Sequence, residues 1–158
     1  QSTPIQLCKM IAQIANGGYK INPSFNANDQ FLLGEKIIQN DDHLKIIQDA
    51  LDVATNEWRG TSYRSRLKGN LKYCGKTGTS QVRKITQEQR DLNIKNKDLP
   101  WKYRDHSLFT GYGPVSNPEY AISVIIDHGG SGSSKAAPIS KKIMNKVFEL
   151  YYPKEKNV

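Results

Sequence analysis

Apolar residues recur at helical spacing in three stretches of the chain and read as strands in three others, with two shorter extended pieces besides. Ile5, Leu7, Cys8, Ile11, Ile14 and Ala15 follow Ser2-Thr3-Pro4, which predicts a helix with Thr3 as N-cap and Pro4 at its first position. Asn16-Gly17-Gly18 stops it. Short extended pieces are expected at Tyr19 to Ile21 and Gln30 to Leu33, separated by turn residues. A second helix starts near Asp41 or Asp42, with Leu44, Ile46, Ile47, Ala50, Leu51, Val53 and Ala54 as its apolar face, and ends before Arg59-Gly60-Thr61. Gly69-Asn70 is a turn signal, and Leu71 to Val82 then reads as a strand.

A polar, Pro-interrupted excursion runs from Arg83 to about Asp105, a length that usually marks a functional loop. Two strands follow, Ser107 to Gly113 and Tyr120 to Ile126, and their short linker predicts an antiparallel pair. The apolar run from Ala121 to Ile126 fits a well-buried strand. Gly129 to Ser134 reads as a flexible turn. The closing helix, Ala136 to Tyr152, carries Ile139, Ile143, Met144, Val147, Phe148 and Tyr151 on one face, and Pro153 ends it. About three strands packed against helices make an α+β domain.

With 158 residues, the chain has the length of one domain. A formal charge of +8 favours polyanionic surfaces such as nucleic acid or an anionic envelope, although the basic residues form no dense block and no nucleic-acid recognition motif. Cys8 and Cys74 lack metal-ligand spacing, so two buried thiols are expected and no metal or cofactor is indicated. No apolar run is long enough to span a bilayer, no signal peptide is legible, and a chain opening on QSTPIQL reads as a cut piece or processed product.

The chemistry turns on Gly75-Lys76-Thr77-Gly78-Thr79. A phosphate-binding loop needs a glycine where Asn70 stands, and needs a helix after the threonine, where Gln81-Val82 continue an extended pattern. The alternative is the K-T-G element of penicillin-binding serine acyl-transferases, a strand at the lip of a cleft with a lysine charge, gripping hydroxyls and a permissive glycine.

The surrounding text supports that alternative. The downstream segment from Asp105 to Met144, DHSLFTGYGPVSNPEYAISVIIDHGGSGSSKAAPISKKIM, and the upstream QSTPIQLCKMIAQIANGGY and RGTSYRSRL, resemble in order the C-terminal part of the transpeptidase domain of the penicillin-binding protein 2 family, the elongation-type class B enzymes. The resemblance implies a partial β-lactamase-like transpeptidase fold over residues 1–158, lacking the nucleophile subdomain, with three of the family's five strands. It implies a peptidoglycan D,D-transpeptidase in which Lys76 attracts the terminal carboxylate of a D-Ala-D-Ala stem peptide. Thr77 and Thr79 bind that carboxylate, Gly78 admits the peptide, and the Thr79 N–H serves the oxyanion hole. β-Lactams and cell-wall elongation proteins are the other implied partners, with no nucleic acid and no cofactor. The implied location is the periplasmic side of the bacterial inner membrane, with an N-terminal anchor outside this chain.

The nucleophile is not expected here. Ser65-Arg66-Leu67-Lys68 has S-x-x-K spacing but sits too close to Lys76, in a polar segment, and Ser24-Phe25-Asn26 spells S-x-N in a loop after Pro23. The isolated chain is therefore expected to be inactive. His106 reads as a structural partner of Asp105, His128 as a solvated turn residue, His43 as helix-start surface, and Trp58 and Trp101 as packing residues. A non-catalytic cell-wall scaffold and, more remotely, a basic nucleic-acid module are the competing classes.

Overall fold

The computed structural model describes residues 2–26, 28–29, 32–92 and 94–152. Helix α1 spans Pro4–Ala15. Its start is a reciprocal capping box: the Gln6 N–H donates to the Thr3 hydroxyl, and the Thr3 N–H donates to Gln6 Oε1 at 2.8 Å. Gly17 and Gly18 follow with positive φ, and a Cβ on Gly18 would lie 2.7 Å from Ile38. Tyr19 makes an isolated bridge with Lys36, while Gln30 and Phe31 of the other expected extended piece lie outside the described residues.

Helix α2, Asp41–Asn56, is capped by Asn40, whose side chain accepts from the His43 N–H. Its inward face is narrower than the sequence implies. Leu44 and Thr55 are buried, whereas Ile46 and Val53 stay exposed. The sheet consists of β1 (Cys74–Ser80), β2 (His106–Gly113) and β3 (Tyr120–Ile126) in the order β1-β2-β3, antiparallel throughout. The first strand is shorter than the Leu71 to Val82 expected. The excursion between β1 and β2 carries a short helix α3, Gln87–Asp91, and single 3-10 turns at Asn96–Asp98 and Trp101–Tyr103.

Helix α4, Ala136–Tyr151, covers one sheet face. It approaches through Ala136, Ser140, Met144 and Phe148, one residue per turn, so that small side chains at its start bring the backbone close to β2 and β3. Ile139, Ile143 and Tyr151, expected inward, are exposed because the Ala-Ser-Met-Phe stripe wins the sheet; Pro153 lies outside the described residues. Tyr73, Phe109, Ile122 and Val124 complete this core. On the opposite face α1 buries Ile11 against Cys74 and Tyr112. Thus β1 and β3 are the two edges, and the sheet is clad on both faces.

Candidate active site strand

The open edge of β1 is set by one buried threonine. Thr55 Oγ1 accepts from the Gly75 N–H at 3.0 Å and donates to the Gly75 carbonyl at 3.1 Å. Both Gly75 backbone groups therefore point away from β2. Alternation along an antiparallel strand places the backbone groups of Thr77 and Thr79 on that same outward edge, and those of Lys76 and Gly78 against β2. Gly75 has no room for a side chain, since a Cβ would lie 2.3 Å from Thr110 O and 2.6 Å from the Phe109 ring. The strand is locked at its start and open beyond it.

Lys76 is exposed and bends over this edge, with Nζ donating to the Thr77 carbonyl at 3.1 Å and to its hydroxyl at 3.4 Å. Thr77 donates in turn to Thr61 Oγ1 at 3.2 Å. Gly78 is open by comparison, a Cβ there meeting only Leu108 Cβ at 3.3 Å. Thr79 is exposed near the end of the strand, opposite Ser107. Lys76 to Thr79 thus form one continuous rim, exposed at Lys76 and Thr79 and half-buried at Thr77 and Gly78, and no helix opens directly after Thr77 as a phosphate loop would need.

Thr61 is the residue that sequence reasoning missed. It reaches β1 because Gly60 allows the chain to turn hard against the end of α2; a Cβ on Gly60 would lie 2.4 Å from Ala54 O. The signal was the Gly60-Thr61 pair within RGTSYRSRL, which carries no distinctive chemistry on its own.

The rim is backed from the α4 side. Gly132 lies so close that a Cβ would be 2.4 Å from Leu108 O and 2.6 Å from Gly78 O. The buried Ser107 hydroxyl donates to Ser131 O and accepts from the Ala136 N–H, both at 3.0 Å, so the glycine-rich turn is tied down rather than loose. His128, expected as a solvated turn residue, is half-buried at φ 54°. Its N–H donates to His106 Nδ1, its Nδ1–H donates to Arg104 O, and the Trp101 ring sits 4.5 Å away. Asp105 pairs with Asn96 instead of His106, fastening the excursion to the start of β2. Trp58 and Trp101 are both mostly exposed, so neither is a core residue, although Trp101 packs on His128 within the loop.

Cys74 is fully buried beneath the rim, and burial pushes its thiol up to about 12, with the facing Tyr112 hydroxyl partly opposing the shift. Such a thiol is not a nucleophile at neutral pH. Cys8 is half-buried and also raised by desolvation. Neither serine decoy has the required geometry. Ser65 is buried in a 3-10 turn followed by extended backbone at Arg66, so Lys68 does not sit one helical turn away. The Ser24 hydroxyl accepts from the Asn26 N–H within its own loop. Among the described residues no helix is long and apolar enough to cross a membrane, and no side-chain cluster could hold a metal.

The penicillin-binding protein transpeptidase domain matches residues 1–145. Peptidoglycan D,D-transpeptidase MrdA of Salmonella typhimurium is 28% identical over 94% of this chain and 25% of its own length, and MrdA of Acinetobacter baumannii is 32% identical over 87% and 22%. Penicillin-binding protein 2 of Helicobacter pylori, solved in complex with MreC, superposes with a TM-score of 0.79 at 28% identity over 96% of this chain and 25% of that one. The Pseudomonas aeruginosa penicillin-binding protein 2 structure with WCK 5153 gives 0.69 at 26%, covering 94% and 31%. The chain spans about a quarter of the length of the curated relatives it matches. It belongs to the penicillin-binding protein transpeptidase family, as a region of the penicillin-binding protein 2 type.

Proposed function

We propose that this chain is the C-terminal portion of one transpeptidase domain and forms the substrate-gripping wall of a peptidoglycan D,D-transpeptidase. The observation carrying this reading is the open β1 edge, where Thr77 and Thr79 turn their backbone groups outward and the Thr77 carbonyl and hydroxyl lie beside the Lys76 ammonium. An extended stem peptide laid along that edge gains main-chain hydrogen bonds by strand addition. Lys76 attracts its terminal carboxylate, the Thr77 and Thr79 hydroxyls hold it, and Gly78 leaves space for its backbone. The Thr79 N–H is one of two oxyanion donors, each worth about 3 kcal/mol.

The attacking serine and its activating lysine belong to another part of the parent protein. The serine oxygen adds to the carbonyl between two terminal D-alanines, the last D-alanine leaves with its amine protonated, and a neighbouring stem's amine resolves the acyl-enzyme. β-Lactams acylate the same serine. The parent acts in the cell envelope, on the periplasmic face of the inner membrane, beside elongation proteins of the kind that the MreC complex exemplifies.

Fluorescent penicillin tests the reading. The parent protein retains label after denaturation, Lys76→Ala lowers its acylation rate at least tenfold, and the 158-residue chain alone stays unlabelled. Covalent label on the isolated chain that disappears on mutating one of its serines would sink the assignment, as would a parent that never labels.

A further inference from the structure

The stretches between Glu57 and Glu88 and between Asp127 and Glu149 contain no acidic residue. The fold brings them together at a single cleft of about 750 Å³, with Trp58, Thr61 and Arg64 on one wall and Lys141, Lys142 and Asn145 of α4 on the other. No carboxylate lines it, and among the described residues Arg64, Lys141 and Lys142 make no salt bridge or side-chain hydrogen bond. Two more guanidinium groups lie over the rings of lining residues, Arg59 4.6 Å from the Trp58 ring centre and Arg66 3.7 Å from that of Tyr63. Trp58 is nevertheless 69% exposed.

Uncompensated cations on a concave wall focus positive potential and concentrate anions. The cleft has the size of small-ligand sites. An exposed indole adds a flat apolar surface with a polar edge, suited to a ring. The hydroxyls of Thr61, Ser133 and Ser134 add donors and acceptors for a hydroxylated ligand. A single-stranded nucleic acid fits less well, because it favours an extended groove with successive stacking aromatics. We propose that this cleft binds an acidic saccharide, with its carboxylate or phosphate groups against Arg64, Lys141 and Lys142 and one sugar ring against Trp58. Thr61 also accepts from Thr77, so an occupant lies one hydroxyl away from the β1 rim. The proposal does not depend on what β1 grips.

Titration calorimetry of this chain with a hexauronate, a phosphorylated hexaose, a neutral hexaose, hexaglutamate and a hexathymidylate decides it. At least one acidic saccharide binds, weakens as salt rises, and loses at least tenfold in affinity in Trp58→Ala and in the Arg64→Ala/Lys142→Ala double variant, but not in Lys20→Ala on another surface. The variants change exposed side chains, and circular dichroism checks that they fold. The uronate and phosphate arms tell which acid group the site takes. No binding to either acidic saccharide overturns the proposal. So does affinity unchanged in the cleft variants, or equal binding of the neutral hexaose, hexaglutamate or hexathymidylate.

Discussion

Thr55→Val removes one hydroxyl and almost no volume, yet it should be among the costlier substitutions in this chain. Thr55 is fully buried, and its Oγ1 accepts from the Gly75 N–H at 3.0 Å and donates to the Gly75 carbonyl at 3.1 Å, with the Ser62 hydroxyl 3.1 Å away. Ser62 keeps a partner, since it donates to Ala54 O. Gly75 does not: it is buried, and its N–H and C=O face away from β2. Stranding a buried donor or acceptor costs about 1–3 kcal/mol each, so the substitution should cost about 2–6 kcal/mol. That is a large share of a typical domain's 5–15 kcal/mol. Thr55→Ser keeps the hydroxyl and deletes one methyl, at about 1 kcal/mol. Urea unfolding of the three proteins measures the difference as a shift in midpoint at constant slope. Hydrogen exchange should also show the β1 amides opening earlier in Thr55→Val than in wild type. If Thr55→Val lies within about 0.5 kcal/mol of wild type, or if the serine variant is equally damaged, the account of the β1 edge is wrong.

The strand's glycines separate stability from function. Gly75→Ala drives a methyl into the Thr110 carbonyl and the Phe109 ring and should cost more than about 3 kcal/mol in unfolding, whereas Gly78→Ala should cost under about 1.5 kcal/mol while slowing penicillin acylation of the parent at least tenfold. Cys74 makes stability pH-dependent on the alkaline side. Its folded pKa is raised from 9.0 to about 12, so the neutral thiol's stabilisation is complete below pH 9 and is lost as pH rises towards 12, at up to about 1.4 kcal/mol per unit. Cys74→Ala should reduce the loss between pH 9 and 10, leaving the share of the half-buried Cys8, below the range where the buried Tyr73 and Tyr112 contribute. An unchanged slope in that interval would count against burial as the cause.

Local signals carried most of the element list. The Thr3 cap, Pro4 in the first turn and the Asn16-Gly17-Gly18 stop are interactions within a few residues, and they put α1 where the pattern does. The β2-β3 hairpin is legible because a short linker leaves antiparallel pairing as the simple solution. The ordered run of motifs around Lys76-Thr77-Gly78 was enough to indicate the transpeptidase family.

What the tertiary structure alone decided is which side of each element meets a neighbour. α2 and α4 each carry more apolar positions than one packing face can use, so sequence periodicity left Ile46, Val53, Ile139 and Ile143 on the wrong side. The choice fell to a buried threonine bonding to a strand and to the Ala136-Ser140-Met144-Phe148 stripe against a sheet. The open edge of β1 is likewise non-local. Lys76 to Thr79 are visible in the text, but the outward direction of the Thr77 and Thr79 backbones depends on Thr55, the partner of Thr77 is Thr61, and the backing of the strand is Gly132. Each of those three comes from a distant part of the chain, and only close packing brings them to the strand.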